Sequence, residues 1–374
     1  MAAATDRRRY SSLSVTVAHG HLDPENLRLA AFLCAVFVIA GLSLPPHTAP
    51  VDVVSLQGQD ERPSVARSHP PTPVIPALER PDARTASLPT ATAPDYESPY
   101  HEAFVAHRWG LTAIDVPGAW AAGYAGNSAK VAILDTGIDT AVPCLADRVA
   151  QQANFTDSPT TDDIYGHGTH MAGIVLAIAP EVTLMNVKVA DDRGKCSPAA
   201  LAKGIRWAAI NHANVINLSL CSEQSSELEA AVQFAHAKGA VVVAAAGNGG
   251  GTEPAYPAFY EECIAVAALH EAGRLTDASN HGEWVDIAAP GADVFSLSPR
   301  GRPGYRSGTS PAAAHVSGVA ALVFAAATDL NDNGRLNDEV RDALEQSCGS
   351  ATVPHVRCGV VNALRAVTGR PPGT

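Results

Sequence analysis

The sequence predicts an α/β fold: a three-layer, doubly wound and mostly parallel sheet with helices on both faces, spanning residues 98–370. Two observations carry that reading. Short apolar, β-branched runs alternate with Ala-rich stretches of helical length, the order expected when each buried strand is followed by a crossover helix. The span of about 270 residues also suits one such domain.

Taken in order, Lys130–Leu134, Val182–Val189, Val215–Ser219, Ala240–Ala245 and Cys263–Ala267 read as buried strands. Residues 168–178, 198–212 and 225–238 read as helices between them, and 311–327, 338–347 and 360–368 as closing helices. Sheets of this kind bind ligands beyond the carboxyl ends of their strands. The strand at 130–134 runs into Asp135-Thr-Gly-Ile-Asp139, the strand at 240–245 runs into Ala246-Gly-Asn248-Gly-Gly-Gly251, and helices begin beside His167 and Ser310.

The 374 residues are 46% apolar and carry a formal net charge of −12. That composition supports a sizeable core and argues against nucleic acid as a partner. The seven cysteines include no C-x-x-C pair and no Cys/His cluster at zinc spacing, so no metal ligands are assigned.

Upstream of the folded part, residues 1–28 form a short tail. Residues 29–44, LAAFLCAVFVIAGLSL, are uncharged and follow Arg7, Arg8, Arg9 and Arg28. The run reads as a signal peptide or as a membrane anchor, being longer than a usual signal core and shorter than a comfortable span. The cationic flank leans toward an uncleaved anchor with its N-terminus inside. Residues 45–97 are rich in proline, which fixes φ and removes amide donors, and read as an extended, disordered linker. The expected setting is therefore the cell envelope or the exterior, with the folded part outside the cytoplasm.

Four motifs stand at strand ends or helix starts: AILDTGID around Asp135, YGHGTHMAG around His167, AAAGNGG around Asn248 and GTSPAAAHVSG around Ser310. A serine hydroxyl becomes a useful nucleophile when an imidazole takes its proton, and that imidazole needs a carboxylate to fix its tautomer. Asp135, His167 and Ser310 supply those three groups. The side-chain amide of Asn248 and the backbone N–H of Ser310 supply donors for a developing oxyanion. Taken singly, each residue has a plainer role as a turn or cap residue, and only the joint pattern points to chemistry.

In these motifs and their order the chain resembles the subtilisin-like serine proteases (subtilases, peptidase S8) over residues 98–370. The resemblance implies that Asp135 orients, His167 is the general base and acid, Ser310 is the nucleophile and Asn248 completes the oxyanion hole. It also implies that Ser219, Leu220 and Gly247 line the substrate cleft, that polypeptides are the substrates and that no cofactor is required. A catalytically inactive binding protein of the same fold is the alternative. An esterase is not, because its nucleophile would sit in G-x-S-x-G before the histidine.

The chain departs from the family pattern in several places. Pro311 follows Ser310 where methionine is usual, and Ala314 replaces a proline. The family's calcium-binding loop between the histidine helix and the next strand is missing, and residues 45–97 are too proline-rich to be the family's folded pro-domain. The segment Asp329-Leu-Asn331-Asp-Asn333-Gly334-Arg-Leu-Asn-Asp-Glu339 begins like a calcium loop, but its twelfth position is Val340. Calcium is possible there without a complete motif, and a solvated helix-to-helix turn is the better reading. Disulfides are expected between Cys348 and Cys358, close in sequence, and between Cys196 and Cys221, which the resemblance puts on neighbouring cleft loops. Cys144 and Cys263 would remain.

Overall fold

The computed structural model describes residues 107–349 and 353–369. The hydrophobic run at 29–44 and the linker at 45–97 lie outside the described residues. No helix among the described residues is long and apolar enough to cross a membrane.

Two short helices come first, α1 (Trp109–Ala113) and α2 (Val116–Ala121), followed by β1 (Lys130–Asp135), α3 (Pro143–Ala146) and β2 (Val149–Asn154). Next come α4 (His167–Ile178), β3 (Thr183–Lys188), α5 (Pro198–Ile210), β4 (Val215–Leu218), α6 (Ser226–Ala237), β5 (Val241–Ala245) and β6 (Cys263–Leu269). The chain ends through β7 (Ile287–Pro290), the hairpin β8 (Val294–Ser296) and β9 (Gly304–Arg306), α7 (Thr309–Phe324), α8 (Asn337–Ser347) and α9 (Ala363–Thr368).

Among the described residues, seven strands form one sheet in the order β2-β3-β1-β4-β5-β6-β7. Every neighbouring pair in it is parallel. From β1 the chain goes out to the edge strand β2 and returns through β3 beside β1, then crosses to β4 and steps outward to β7, which fills both sides of β1 in the doubly wound manner, with β1 and β4 flanking the point where the direction changes. Successive strand side chains point to opposite faces. Thus Val131 and Ile133 join a core with α4 and α7, while Ala132 and Leu134 join a second core with α5 and α6. Helix α7 lies across β4, β5, β6 and β7 and packs on α4. Both of these helices are buried almost all round, which accounts for their lack of a polar face.

Caps set the ends of the outer helices. Ser197 Oγ accepts from Ala200 N, with Pro198 opening α5, and Ser225 Oγ accepts from Leu228 N at α6. Helix α7 starts at Thr309, with Gly308 as its N-cap residue. Pro311 is therefore its third residue, still in the first turn, where a missing N–H leaves no helical bond unmade.

The expected disulfides are not formed, and none occurs among the described residues. Cys348 Sγ turns back along α8 and donates to Leu344 O at 3.5 Å. Cys196 Sγ donates to Ser197 O at 3.5 Å. Burial raises the Cys196 and Cys358 thiols to about 12 and pushes Cys348 up as well. Burial thus disfavours the thiolate form of these three groups.

Candidate active site

Each of the four motif residues stands at the carboxyl-end side of the sheet or at a helix start beside it. Asp135 is the last residue of β1 and is fully buried. Its Oδ1 accepts the Thr136 N–H at 2.7 Å, and its two oxygens lie 2.8 and 2.9 Å from His167 Nδ1. That contact assigns the proton to Nδ1 and leaves Nε2 as the basic nitrogen. Burial pushes the His167 pKa down, but the charge and hydrogen bond of Asp135 outweigh it, and the value lies above the ordinary 6.5. The Arg306 charge opposes that rise and Asp163 assists it.

His167 opens α4 from a frame that the sequence reading did not identify. Buried Asp163 accepts from Thr136 Oγ1 at 2.8 Å and Gly166 N at 2.6 Å through Oδ1, and from Thr169 N at 2.8 Å through Oδ2. Thr136 Oγ1 in turn accepts from Gly168 N at 3.0 Å. One carboxylate thus satisfies donors at the start of α4, where the helix leaves N–H groups unpaired and its dipole favours negative charge. Gly168 must be glycine, because a Cβ there would collide with the Gly137 carbonyl oxygen. Lys188, at the end of β3 and fully buried, donates to the carbonyls of Thr136 and Asp162 and pairs with Asp192 at 2.9 Å. It ties the residue after Asp135 to the loop before His167.

Ser310 is the second residue of α7. Its hydroxyl donates to Ser219 O at 2.9 Å, so in this rotamer the proton is directed at the end of β4 rather than at His167. Ser219 answers through its own hydroxyl, which donates to Ser310 O at 3.0 Å and accepts from Asn217 Nδ2 at 3.0 Å. Asn217 Oδ1 accepts from Ser317 Oγ at 2.9 Å, two turns further along α7 than Ser310. Four residues therefore fix the start of α7 against β4.

Asn248 is exposed just beyond β5, and its Oδ1 accepts from Thr309 N at 2.9 Å and Thr309 Oγ1 at 3.2 Å. An oxygen held by two donors leaves the NH₂ end as the donor available to a ligand. Gly308 adopts φ +136°, and a Cβ on it would press to 3.0 Å from Asn248 Oδ1. Of the expected cleft residues, Gly247 is buried and donates to Thr309 Oγ1 at 3.1 Å. Ser219 contacts Ser310 directly, whereas Leu220 is half-buried against the α5/α6 core.

His170 and His315 are buried within α4 and α7. Burial lowers their pKa values to about 3 and about 4, so both are neutral packing groups. Among the described residues no group of three or more His, Cys, Asp or Glu side chains is disposed to hold a metal. An imidazole held by a buried carboxylate, and a serine at the start of a helix whose first residue, Thr309, is tied to the Asn248 amide, are the kinds of group that acyl transfer uses.

The sequence model of the subtilase family matches residues 126–360. A thermophilic serine proteinase from Bacillus sp. (strain AK1) is 39% identical over 264 residues, covering 67% of this chain and 64% of that protein. Thermitase from Thermoactinomyces vulgaris is 39% identical over 278 residues, covering 71% of this chain and 97% of that protein. A thermostable alkaline protease from Halalkalibacterium halodurans is 40% identical over 270 residues, covering 69% and 73%. With that match, and with the parallel sheet that carries the motifs, the chain belongs to the subtilase family of serine-type peptidases.

Proposed function

We propose that this protein is an extracytoplasmic serine endopeptidase that hydrolyses peptide bonds through an acyl-enzyme on Ser310. The observation that carries the reading is the paired contact of the buried Asp135 carboxylate with His167 Nδ1 at 2.8 and 2.9 Å. The peptidase domain occupies residues 98–370, after a tail at 1–28, a hydrophobic segment at 29–44 that enters or anchors in the membrane, and a linker at 45–97.

In the reaction, rotation about the Cα–Cβ bond of Ser310 carries its hydroxyl from Ser219 O to His167 Nε2. Nε2 takes the proton as Oγ attacks the substrate carbonyl, and Asp135 stabilises the resulting imidazolium. The oxyanion lies between the Asn248 NH₂ group and the Ser310 N–H. His167 then protonates the departing amine, and a water deprotonated by His167 cleaves the acyl-enzyme. An extended polypeptide binds along Ser219, Leu220 and Gly247 through backbone hydrogen bonds, as strand addition requires.

The alternative of a catalytically silent binding protein draws support from the Ser310 hydroxyl's contact with Ser219 O and from Pro311 beside it. The two readings separate on cleavage of an unfolded protein substrate. The endopeptidase reading predicts turnover by the wild type and none by Ser310→Ala; binding without cleavage by both proteins supports the alternative.

A further inference from the structure

From the loop between α7 and α8 into the first turn of α8 the chain runs Asp329-Leu-Asn331-Asp-Asn333-Gly334-Arg335-Leu-Asn337-Asp338-Glu339. A turn that is merely solvated leaves its polar groups in water. Here Asn337 and Glu339 are only 1% and 8% exposed. Each also buries one side-chain oxygen that has no hydrogen-bond partner, Asn337 Oδ1 and Glu339 Oε2. Buried acceptors without partners are costly, and an unpaired carboxylate oxygen most of all, so such oxygens call for a cation or a donor.

Both oxygens belong to the first turn of α8, which closes this loop. Glu339 Oε1 accepts from Leu330 N at 3.1 Å, which holds the carboxylate, with its unpartnered Oε2, against residues 329–331. Asn337 Nδ2 donates to His236 O at 3.2 Å, which fixes the amide with Oδ1 as its free end. Across the loop, Asp329 accepts from Asn333 N at 3.2 Å and Gly334 N at 2.7 Å. Asn331 Oδ1 accepts from Asn333 N at 3.0 Å, and Asn333 Oδ1 from Arg335 N at 2.8 Å. These bonds occupy one lone pair on each oxygen and leave the other. The Arg335 guanidinium is led away to Ala237 O at 3.1 Å. Asp338 is engaged by Asn333 Nδ2 at 3.1 Å and by His236 Nε2 at 3.4 Å.

We propose that residues 329–339 form a calcium site. Asp329 and Glu339 supply two carboxylates that balance the charge, and Asn331, Asn333 and Asn337 supply neutral oxygens. A donor set made wholly of oxygens, from a loop and the helix turn that closes it, suits calcium; magnesium demands tighter octahedral geometry and keeps its waters, and softer metals seek nitrogen or sulfur. Glu339 supplies the carboxylate that an EF-type loop draws from the following position, here Val340. The bound ion fastens the end of α7, whose start carries Ser310, to α8.

The test uses the full chain with Ser310→Ala to prevent self-cleavage, stripped with EDTA and titrated with calcium chloride by calorimetry, with parallel thermal melts. We expect saturable binding with Kd on the order of 10⁻⁴ M, a rise in Tm with calcium and little response to equal magnesium. Asp329→Asn and Glu339→Gln should each weaken binding about tenfold or more and remove most of the calcium-dependent rise in Tm. If Glu339→Gln fails to fold, Asn331→Ala, which alters an exposed side chain, gives the same reading. No binding by the parent at millimolar calcium, or isotherms and Tm shifts in the folded variants equal to the parent's, would overturn the proposal.

Discussion

Ser310 and Ser219 are joined twice: the Ser310 hydroxyl donates to the Ser219 carbonyl at 2.9 Å, and the Ser219 hydroxyl donates to the Ser310 carbonyl at 3.0 Å. The first bond must break for Ser310 to reach His167, while the second can persist and hold the backbone of Ser310 against β4. Ser219→Ala keeps the first, deletes the second and also takes from the buried Asn217 Nδ2 its acceptor at Ser219 Oγ. It should cost about 1–3 kcal/mol of stability, the range for a buried donor left unpaired, and lower kcat through looser placement of Ser310. Urea unfolding and steady-state kinetics check both effects; unchanged kcat would separate the Ser219 hydroxyl from positioning.

The Asn248 amide has its oxygen held by Thr309 and its NH₂ end free for an oxyanion. Asn248→Ala should therefore lower kcat by about 10²–10³ with little change in KM, because the contact forms only as charge develops. Gly308→Ala should move kcat in the same direction, since its Cβ presses on Asn248 and φ +136° suits glycine alone. A rise in KM at constant kcat would assign Asn248 to ground-state binding instead.

Lys188 buries an ammonium against the Thr136 and Asp162 carbonyls and the Asp192 carboxylate. Lys188→Met leaves those acceptors without their donor and should cost on the order of 2–4 kcal/mol. Activity should fall as well, because Thr136 adjoins Asp135. A denaturant midpoint equal to the wild type's would refute this role.

The pH dependence has two separate origins. His167 acts as a base only when neutral, and Asp135 holds its pKa above 6.5, so kcat/KM should rise with pH along a limb centred above 6.5. Asp135→Asn removes that support and should shift the limb down while cutting kcat by about 10⁴. A limb centred below 6.5 in the wild type would contradict the assigned contact.

Stability should follow the buried histidines. The folded pKa values of His170 and His315 are about 3 and about 4, below the ordinary 6.5. The unfolded chain therefore takes up protons first, and the stability present above pH 6.5 is lost as pH falls toward 4. Each histidine should contribute up to about 1.4 kcal/mol per pH unit across that window. Urea unfolding between pH 4.5 and 7 measures the slope, and a flat profile would contradict neutral burial.

The central strands and long helices were legible because full burial makes them continuous apolar runs, as in β1 and α4. Strand β2 escaped notice because it lies at the sheet edge, where VAQQAN alternates between half-buried and exposed positions. Strand β7 was missed because IAAP is four residues long and ends in proline. Helices α1 and α2 carry Gly110, Pro117 and Gly118, residues that read as breaks. Asp135, His167, Asn248 and Ser310 were legible from short motifs around each. Asp163, although four residues before His167, resembled an ordinary loop acid. Lys188 and Asn217 are polar residues within apolar strands, and their part is not legible in the sequence because partners such as Ser317, 100 residues from Asn217, meet them only in the fold. The expected disulfides rested on proximity in sequence and on resemblance, neither of which fixes where a thiol points.

The central claim is that Ser310 is a nucleophile activated by His167. The most direct measurement is covalent labelling of the wild-type protein with a fluorophosphonate, with the adduct located by mass spectrometry, alongside Ser310→Ala and His167→Ala. The account predicts one adduct on Ser310, absent from the first variant and formed far more slowly in the second. Folded wild-type protein that remains unlabelled, or labelling of Ser310 at the same rate without His167, would contradict it.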